Sequence, residues 1–260
     1  RAALVYTQHA ILRLVPMPAT KLLGLVGGMS WVSTQDYYRL LNEGVNQKLG
    51  GTNAARLLIH SVNFREFVDN NTAGRWDCTL ELMRGACASL RAAGAEGLML
   101  CANTAHAVIE PLKAEFDLPF IDVVEETAAA ISAAGLRKVA LIGTKFTMEL
   151  PFYRDGLARA GIEAVTPSDP AQRDYIQQTL RDELGRGVVR AETREAYLAI
   201  ARGMIAAGCE GVTFGCTEIP LLLKPEDFSV PCFDTLRIHA EAGVRFLLGE
   251  RARELGGRQS

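Results

Sequence analysis

The sequence predicts an α/β protein of two similar domains, each built on a largely parallel sheet, with a cleft between them. Three observations carry this expectation. From Lys21 onward, short apolar runs alternate with amphipathic stretches of helical period, the pattern of repeated strand–helix units. The second half of the chain repeats the first. At 260 residues, 48% hydrophobic and 22% charged, the chain has the length and balance for two ordinary globular cores.

Taken in order, "KLLGLVG" reads as a buried strand and "WVSTQDYYRLLNEGVNQKLGG" as a helix stopped at Gly50 and Gly51. "RLLIHSV" is a strand, "TLELMRGACASLRAAG" a helix and "GLMLC" a strand again. "KVALIGT", "GVTFGC" and "VPCFD" are later strands, with helices expected around 148–160, 171–185 and 192–207. The repeat aligns "AAGAEGLMLCANT" (92–104) with "AAGCEGVTFGCTE" (206–218), which sets Glu96 over Glu210. It also sets Gly27 over Gly143 and Asp122 over Asp234, so the offset drifts only from 116 to 114 to 112 residues. That period is too long for a solenoid and fits a duplicated domain. The expected layout is a disordered leader over 1–20, a first Rossmann-like α/β domain from 21–120 plus 232–250, and a second from 121–231. The leader carries Arg1 and Arg13 and no acid, and it lacks an apolar core fit for a signal peptide. Met17 is a candidate natural start.

A net charge of −2 gives no basic excess for nucleic acid or a membrane surface. Six cysteines without a CxxC pair suit reduced thiols and a cytoplasmic protein. Cys101 and His106 are half of a zinc site with no second pair to complete it, so no metal is expected. "GLVGGMS" has G-x-x-G-G spacing, and the next strand ends "HSVNF" without a ribose-binding acid, which argues against a dinucleotide. No cofactor is expected. His106 and His239 are each expected to hydrogen-bond locally.

Ligands of open α/β sheets bind beyond the carboxyl ends of the strands. Four such ends carry small or polar residues: Gly27-Gly28-Met29-Ser30, Asn103-Thr104, Gly143-Thr144 and Cys216-Thr217-Glu218. A thiol at a helix N-terminus can have its pKa lowered toward neutrality, which makes Cys216 a candidate base. The repeat sets Cys101 over Gly215 and Ala102 over Cys216. Side chains alternate along a strand, so if Cys216 faces the cleft, Ala102 faces it too and Cys101 does not.

"LGLVGGMSWVSTQDYYRLLNEGVNQKLGG", "CANTAH", "LIGTKFTME" and "FGCTEIPLLL", in this order, resemble the aspartate/glutamate racemase family. The resemblance spans Lys21 to about Gly249 and is closest to the broad bacterial branch whose first motif reads C-T-N-T. It implies cofactor-independent proton transfer at the α-carbon of an amino acid or related carboxylate, with one base from each of two pseudo-symmetric domains. By resemblance, Cys216 is the second-domain thiol. Asn103 and Thr104 hold the substrate α-carboxylate, with Thr217 and the Met29 amide nearby, and Thr144 and Glu218 complete the expected cleft set. Three positions depart from the family pattern. The first base, Cys or Thr, falls on Ala102; a carboxylate-holding Lys falls on Tyr175; and a Gln or Arg of the cleft loop falls on Asn71. A water held by Asn103, or Cys101 at a bulged strand end, are the candidate substitutes for the missing base. Three readings stay open: a racemase or epimerase, a one-cysteine decarboxylase of the arylmalonate type, and a carboxylate-binding homologue without turnover. Trp31, Tyr37 and Tyr38 on the first helix are the expected face of a homodimer.

Overall fold

A computed structural model describes residues 20–249, and the expected leader lies almost wholly outside them. The chain runs β1 (Leu23–Gly27), α1 (Trp31–Leu49), β2 (Leu57–Ser61), α2 (Phe64–Thr72), α3 (Trp76–Ala92) and β3 (Gly97–Leu100). A 3₁₀ turn at Asn103–Val108 leads to α4 (Ile109–Glu115), β4 (Phe120–Ile121) and α5 (Val123–Ala133). Then come β5 (Lys138–Gly143), α6 (Lys145–Glu149), α7 (Pro151–Arg159), β6 (Glu163–Val165), α8 (Pro170–Asp182) and α9 (Ala191–Ala206). The described chain closes with β7 (Gly211–Gly215), α10 (Ile219–Leu222), β8 (Cys232–Asp234) and α11 (Thr235–Leu247).

Two four-stranded parallel sheets result, ordered β2-β1-β3-β4 and β6-β5-β7-β8, so the halves repeat strand for strand. The repeated glutamates have one structural job. Glu96 Oε2 accepts from the Leu22 amide at 2.6 Å, and Glu210 Oε2 accepts from the Arg137 and Lys138 amides at 2.7 and 3.1 Å. Each pins the entrance of a central strand to the turn before its neighbour. The repeated aspartates are helix N-caps. Asp122 accepts from the Val124 and Glu125 amides, and Asp234 from those of Leu236 and Arg237. Gly143 is required by close approach, since a Cβ there would lie 2.6 Å from the Gly215 carbonyl oxygen.

Each sheet sends its last helix to the other domain. α5 follows β4 of the first sheet, yet Val123, Val124, Ala128 and Ile131 pack with Val139 and Leu141 of the second. α11 follows β8 of the second sheet, and Leu236, Ala240 and Leu247 pack with Leu23, Leu25 and Tyr37 of the first. The expected division of the chain therefore shifts. Ile121 pairs with Met99 in the first sheet, and Cys232–Asp234 pair with β7 in the second, so the crossings fall just after Ile121 and Asp234. Only the helical part of 232–250 belongs with the first core, because β8 is held by the β7 ladder.

The crossings meet at a buried polar cluster. His239 Nε2 donates to the Ile121 carbonyl at 2.8 Å, and its Nδ1 accepts from the Tyr37 hydroxyl at 2.9 Å. His106 Nδ1 donates to the Ala102 carbonyl at 3.0 Å, and its Nε2 accepts from the Val123 amide at 3.2 Å. The two imidazoles meet edge to face with centroids 5.7 Å apart. Both rings are neutral, and they tie the crossing segments together rather than only their own helices. Tyr37 is thereby removed from the expected dimer face, where Trp31 and Tyr38 remain 60% and 54% exposed.

Burial lowers the pKa of His106 and takes that of His239 down to about 3. An unfolded histidine titrates near 6.5, so below that pH the unfolded chain binds a proton that folded His239 refuses. This contribution is therefore full above about pH 6.5 and falls with decreasing pH, by about 1.4 kcal/mol per unit for His239, and His106 acts in the same direction. We expect the urea midpoint to fall between pH 6.5 and 5, and the slope of that fall to lessen in His239→Gln. An unchanged slope in the variant would remove His239 from the acid response.

Candidate active site

The four strand ends converge on a cavity of about 290 Å³ between the two sheets, near the lower size limit for small-molecule sites. Gly28 turns the chain after β1 with φ +90°, a region that favours glycine. Its amide donates to Thr34 Oγ1 at 2.9 Å, which delivers Met29 and Ser30 to the cavity wall. After β3, Leu98, Leu100 and Ala102 share one face of the strand, while Met99 and Cys101 turn into the core with Leu25 and Tyr37. Ala102 therefore lines the cavity and Cys101 does not. The strand end is extended at Ala102 (φ −155°, ψ 137°). Cys101 is fully buried, and burial raises its thiol pKa, so it offers no substitute base in the cleft. Across the cavity, Phe214 and Cys216 share the corresponding face of β7.

Three hydrogen bonds cross between the halves around the cavity. Ser30 Oγ donates to Glu218 Oε1 at 2.9 Å, Asn103 Nδ2 donates to Thr235 Oγ1 at 2.9 Å, and the Thr104 and Thr144 hydroxyls meet at 2.9 Å. Thr235 gives its own proton to the Phe214 carbonyl at 2.8 Å, which fixes it as the acceptor for Asn103. One of Asn103's two amide protons is thus committed to holding α11, and its Oδ1 is buried without a partner among the described residues. Asn71 is buried in the wall, with Oδ1 accepting from Thr79 at 2.7 Å.

Glu218 is the centre of the second-domain side. Its Oε2 accepts from the Cys216 thiol at 3.0 Å and from the Thr217 hydroxyl at 2.8 Å. Burial pushes the Cys216 pKa well above the usual thiol range, and the adjacent Glu218 carboxylate adds to the rise. The Thr217 and Glu218 amides pull it down, as the strand-end position led us to expect, but they are outweighed. The sequence-based expectation of a thiolate near neutrality is corrected: at rest, Cys216 is a thiol aimed at a carboxylate.

Of the residues expected at the site, Met29, Asn71, Ala102, Asn103, Thr104, Thr144, Cys216, Thr217 and Glu218 all line the cavity. Tyr175 does not. It sits 36% exposed on α8, and Gln177, Leu180 and Arg181 of that helix reach the cavity instead. A shift of two residues turns a helix by about half a turn, so Tyr175 faces away from the wall that Gln177 joins. Unanticipated wall residues are Phe64, Phe67, Val68 and Thr72 of α2, with Lys145 and Phe146 of α6. "NFREFVDNN" did carry a signal: Asn63 caps α2, and Phe64, Phe67 and Val68 follow at helical spacing.

The fold and site define a class: duplicated α/β proteins whose two halves each bring a strand end to one shared cleft. The pattern of the Asp/Glu/Hydantoin racemase family matches residues 26–243, and the chain belongs to that family. A Yersinia pestis structure described as a candidate Asp/Glu racemase is 41% identical, with TM-score 0.82 over 88% of this chain and 99% of that one. An aspartate racemase homologue from Pyrococcus horikoshii is 32% identical, with TM-score 0.76 over 88% and 100%. A glutamate racemase from Koribacter versatilis is 33% identical over 140 residues, 53% of this chain and 47% of that one. The chain spans about half the length of several curated glutamate racemases it matches.

Removing the Glu218 charge should release the Cys216 thiol. We expect Glu218→Gln to shift the pH midpoint of Cys216 alkylation downward, followed by peptide mapping because Cys78 and Cys232 are also partly accessible. A midpoint that stays or rises would show that the carboxylate does not set the thiol's acidity.

Proposed function

We propose that the chain is an amino-acid racemase-type isomerase in which Cys216 moves the α-proton on one face of the substrate only. The observation that carries this reading is the Cys216 thiol, 3.0 Å from Glu218 Oε2, in a cleft whose opposite strand end presents Ala102. The α-carboxylate lies among the hydroxyls of Thr104, Thr144 and Thr217, with the strand-end amides behind them. Glu218 takes the thiol proton, and the resulting thiolate removes the α-proton. The negative charge left on the substrate spreads into its carboxylate, where those hydroxyls stabilise it. Return of the proton from the same sulfur restores the starting enantiomer. Inversion requires a proton on the Ala102 face, where a methyl group has none to give and a water is the available donor. All of these transfers use the chain's own groups and water.

A second reading is favoured by the same raised thiol pKa. A disubstituted malonate held in the same place would lose CO₂ from one carboxyl group. The electron pair left on the α-carbon would then take the Cys216 proton from one face. A thiol that is protonated at rest suits that role, and CO₂ release from such a malonate by the purified protein is its test.

Two substitutions test the leading reading. Cys216→Ser should reduce α-proton exchange to a few per cent of the parent or less, since an alcohol near neutral pH is a far weaker base than a thiolate. Ala102→Cys should raise interconversion of enantiomers by about 10²–10⁴-fold, the usual contribution of a positioned base. That gain should vanish in the double variant with Cys216→Ser. Activity that survives Cys216→Ser, or a folded Ala102→Cys that gains nothing, contradicts the assignment.

A further inference from the structure

The wall of the cleft beyond the two strand ends indicates what the substrate's side chain is. Phe64, Phe67 and Val68 of α2 face Phe146 and Leu180 of the second domain around one cavity. Trp76 meets the Phe146 ring edge to face at 5.6 Å across the two halves, which closes that side with aromatic surface. Phe64 stands 40% exposed at the wall, an apolar surface left open by the described residues. Two cations border the cavity, and both are engaged. Lys145 Nζ lies 2.5 Å from Asp174 and 4.0 Å from Glu149. Arg181 gives two bonds to Asp182, at 2.7 and 2.9 Å. The remaining polar wall groups beyond the strand ends, Asn71, Thr72 and Gln177, are uncharged, and Gln177 Oε1 already accepts from the Lys145 amide at 2.8 Å.

Charge points the same way. Glu218 already places a carboxylate on the cleft floor beside the proton-transfer position. A zwitterionic amino acid enters with no net charge, whereas aspartate or glutamate brings a second carboxylate with no unengaged cation among the described wall residues to receive it. We infer that this cleft selects an α-amino acid with an uncharged, apolar side chain of leucine, methionine or phenylalanine type. The side chain lies between α2 and the α6–α8 wall. This rests on the α-carbon reading above and adds its substrate class.

The test is deuterium uptake at the α-carbon in D₂O by the full chain. Leucine, methionine, phenylalanine, aspartate and glutamate are each compared at the same low concentration, where the ratio of rates reports selectivity. Uptake into at least one apolar amino acid should exceed that into both acidic ones by about tenfold or more, a factor worth about 1.4 kcal/mol. Val68→Lys, which puts a cation in the half-buried wall, should shift that ratio toward glutamate. Uptake into aspartate or glutamate equal to or faster than into every apolar amino acid overturns the inference and leaves the α-carbon reading standing. A protein that exchanges none of them is examined for binding of the same five by calorimetry. Preferred binding of an apolar member supports the inference, preferred binding of an acidic one overturns it, and binding of none overturns both it and the reading beneath it.

Discussion

The Glu218 carboxylate organises this cleft. Buried between the halves, it accepts from Ser30 of the first domain and from Cys216 and Thr217 of the second. A charge taken out of water must be met by hydrogen bonds, and each bond to it contributes about 1.5–3 kcal/mol. The same carboxylate that joins the N-cap of α1 to the end of β7 therefore also adds to the raised proton affinity of the Cys216 thiol in the cavity wall. Structure and chemistry are coupled at a single side chain: a change that loosens Ser30 from Glu218 alters both the cleft closure and the thiol.

Duplication supplies the frame around that interaction, and divergence decides what the frame does. Both halves keep the pinned strand entrance at Glu96 and Glu210 and the capping aspartates at Asp122 and Asp234. These positions build the fold and place two strand ends face to face. At the tips the halves differ: Ala102 on one side, Cys216 with Glu218 on the other. The helices exchanged between domains lock the arrangement through His106, His239 and Tyr37, whose neutral buried rings leave little freedom at the crossing points.

The strands and the repeat were legible because apolar runs and a long period are written directly in residue order. The orientation of Cys101 and Ala102 followed from alternation along β3 once the repeat fixed Cys216 as their reference. The direction of the Cys216 pKa did not follow, because a strand-end motif shows the helix amides but not how completely Glu218 and the walls exclude water. Nor did the α2 wall, whose helix is only nine residues long and whose apolar positions resemble ordinary core. Tyr175 was misplaced because position along α8 depends on the turns before it, which residue spacing alone does not fix. The exchange of α5 and α11 between domains was hidden for a related reason: β4 and β8 are two and three residues long, too short to show which sheet they join.

The central claim is that proton transfer reaches one face of the substrate. The most direct measurement incubates the unaltered protein in D₂O with each pure enantiomer of one apolar amino acid. α-Deuteration is followed by NMR and configuration by chiral chromatography. The account predicts that one enantiomer takes up deuterium with its configuration retained, much faster than the two interconvert, while the other enantiomer does not exchange. Uptake into both enantiomers at rates matched by interconversion would contradict it, by showing that a working base stands on the Ala102 side.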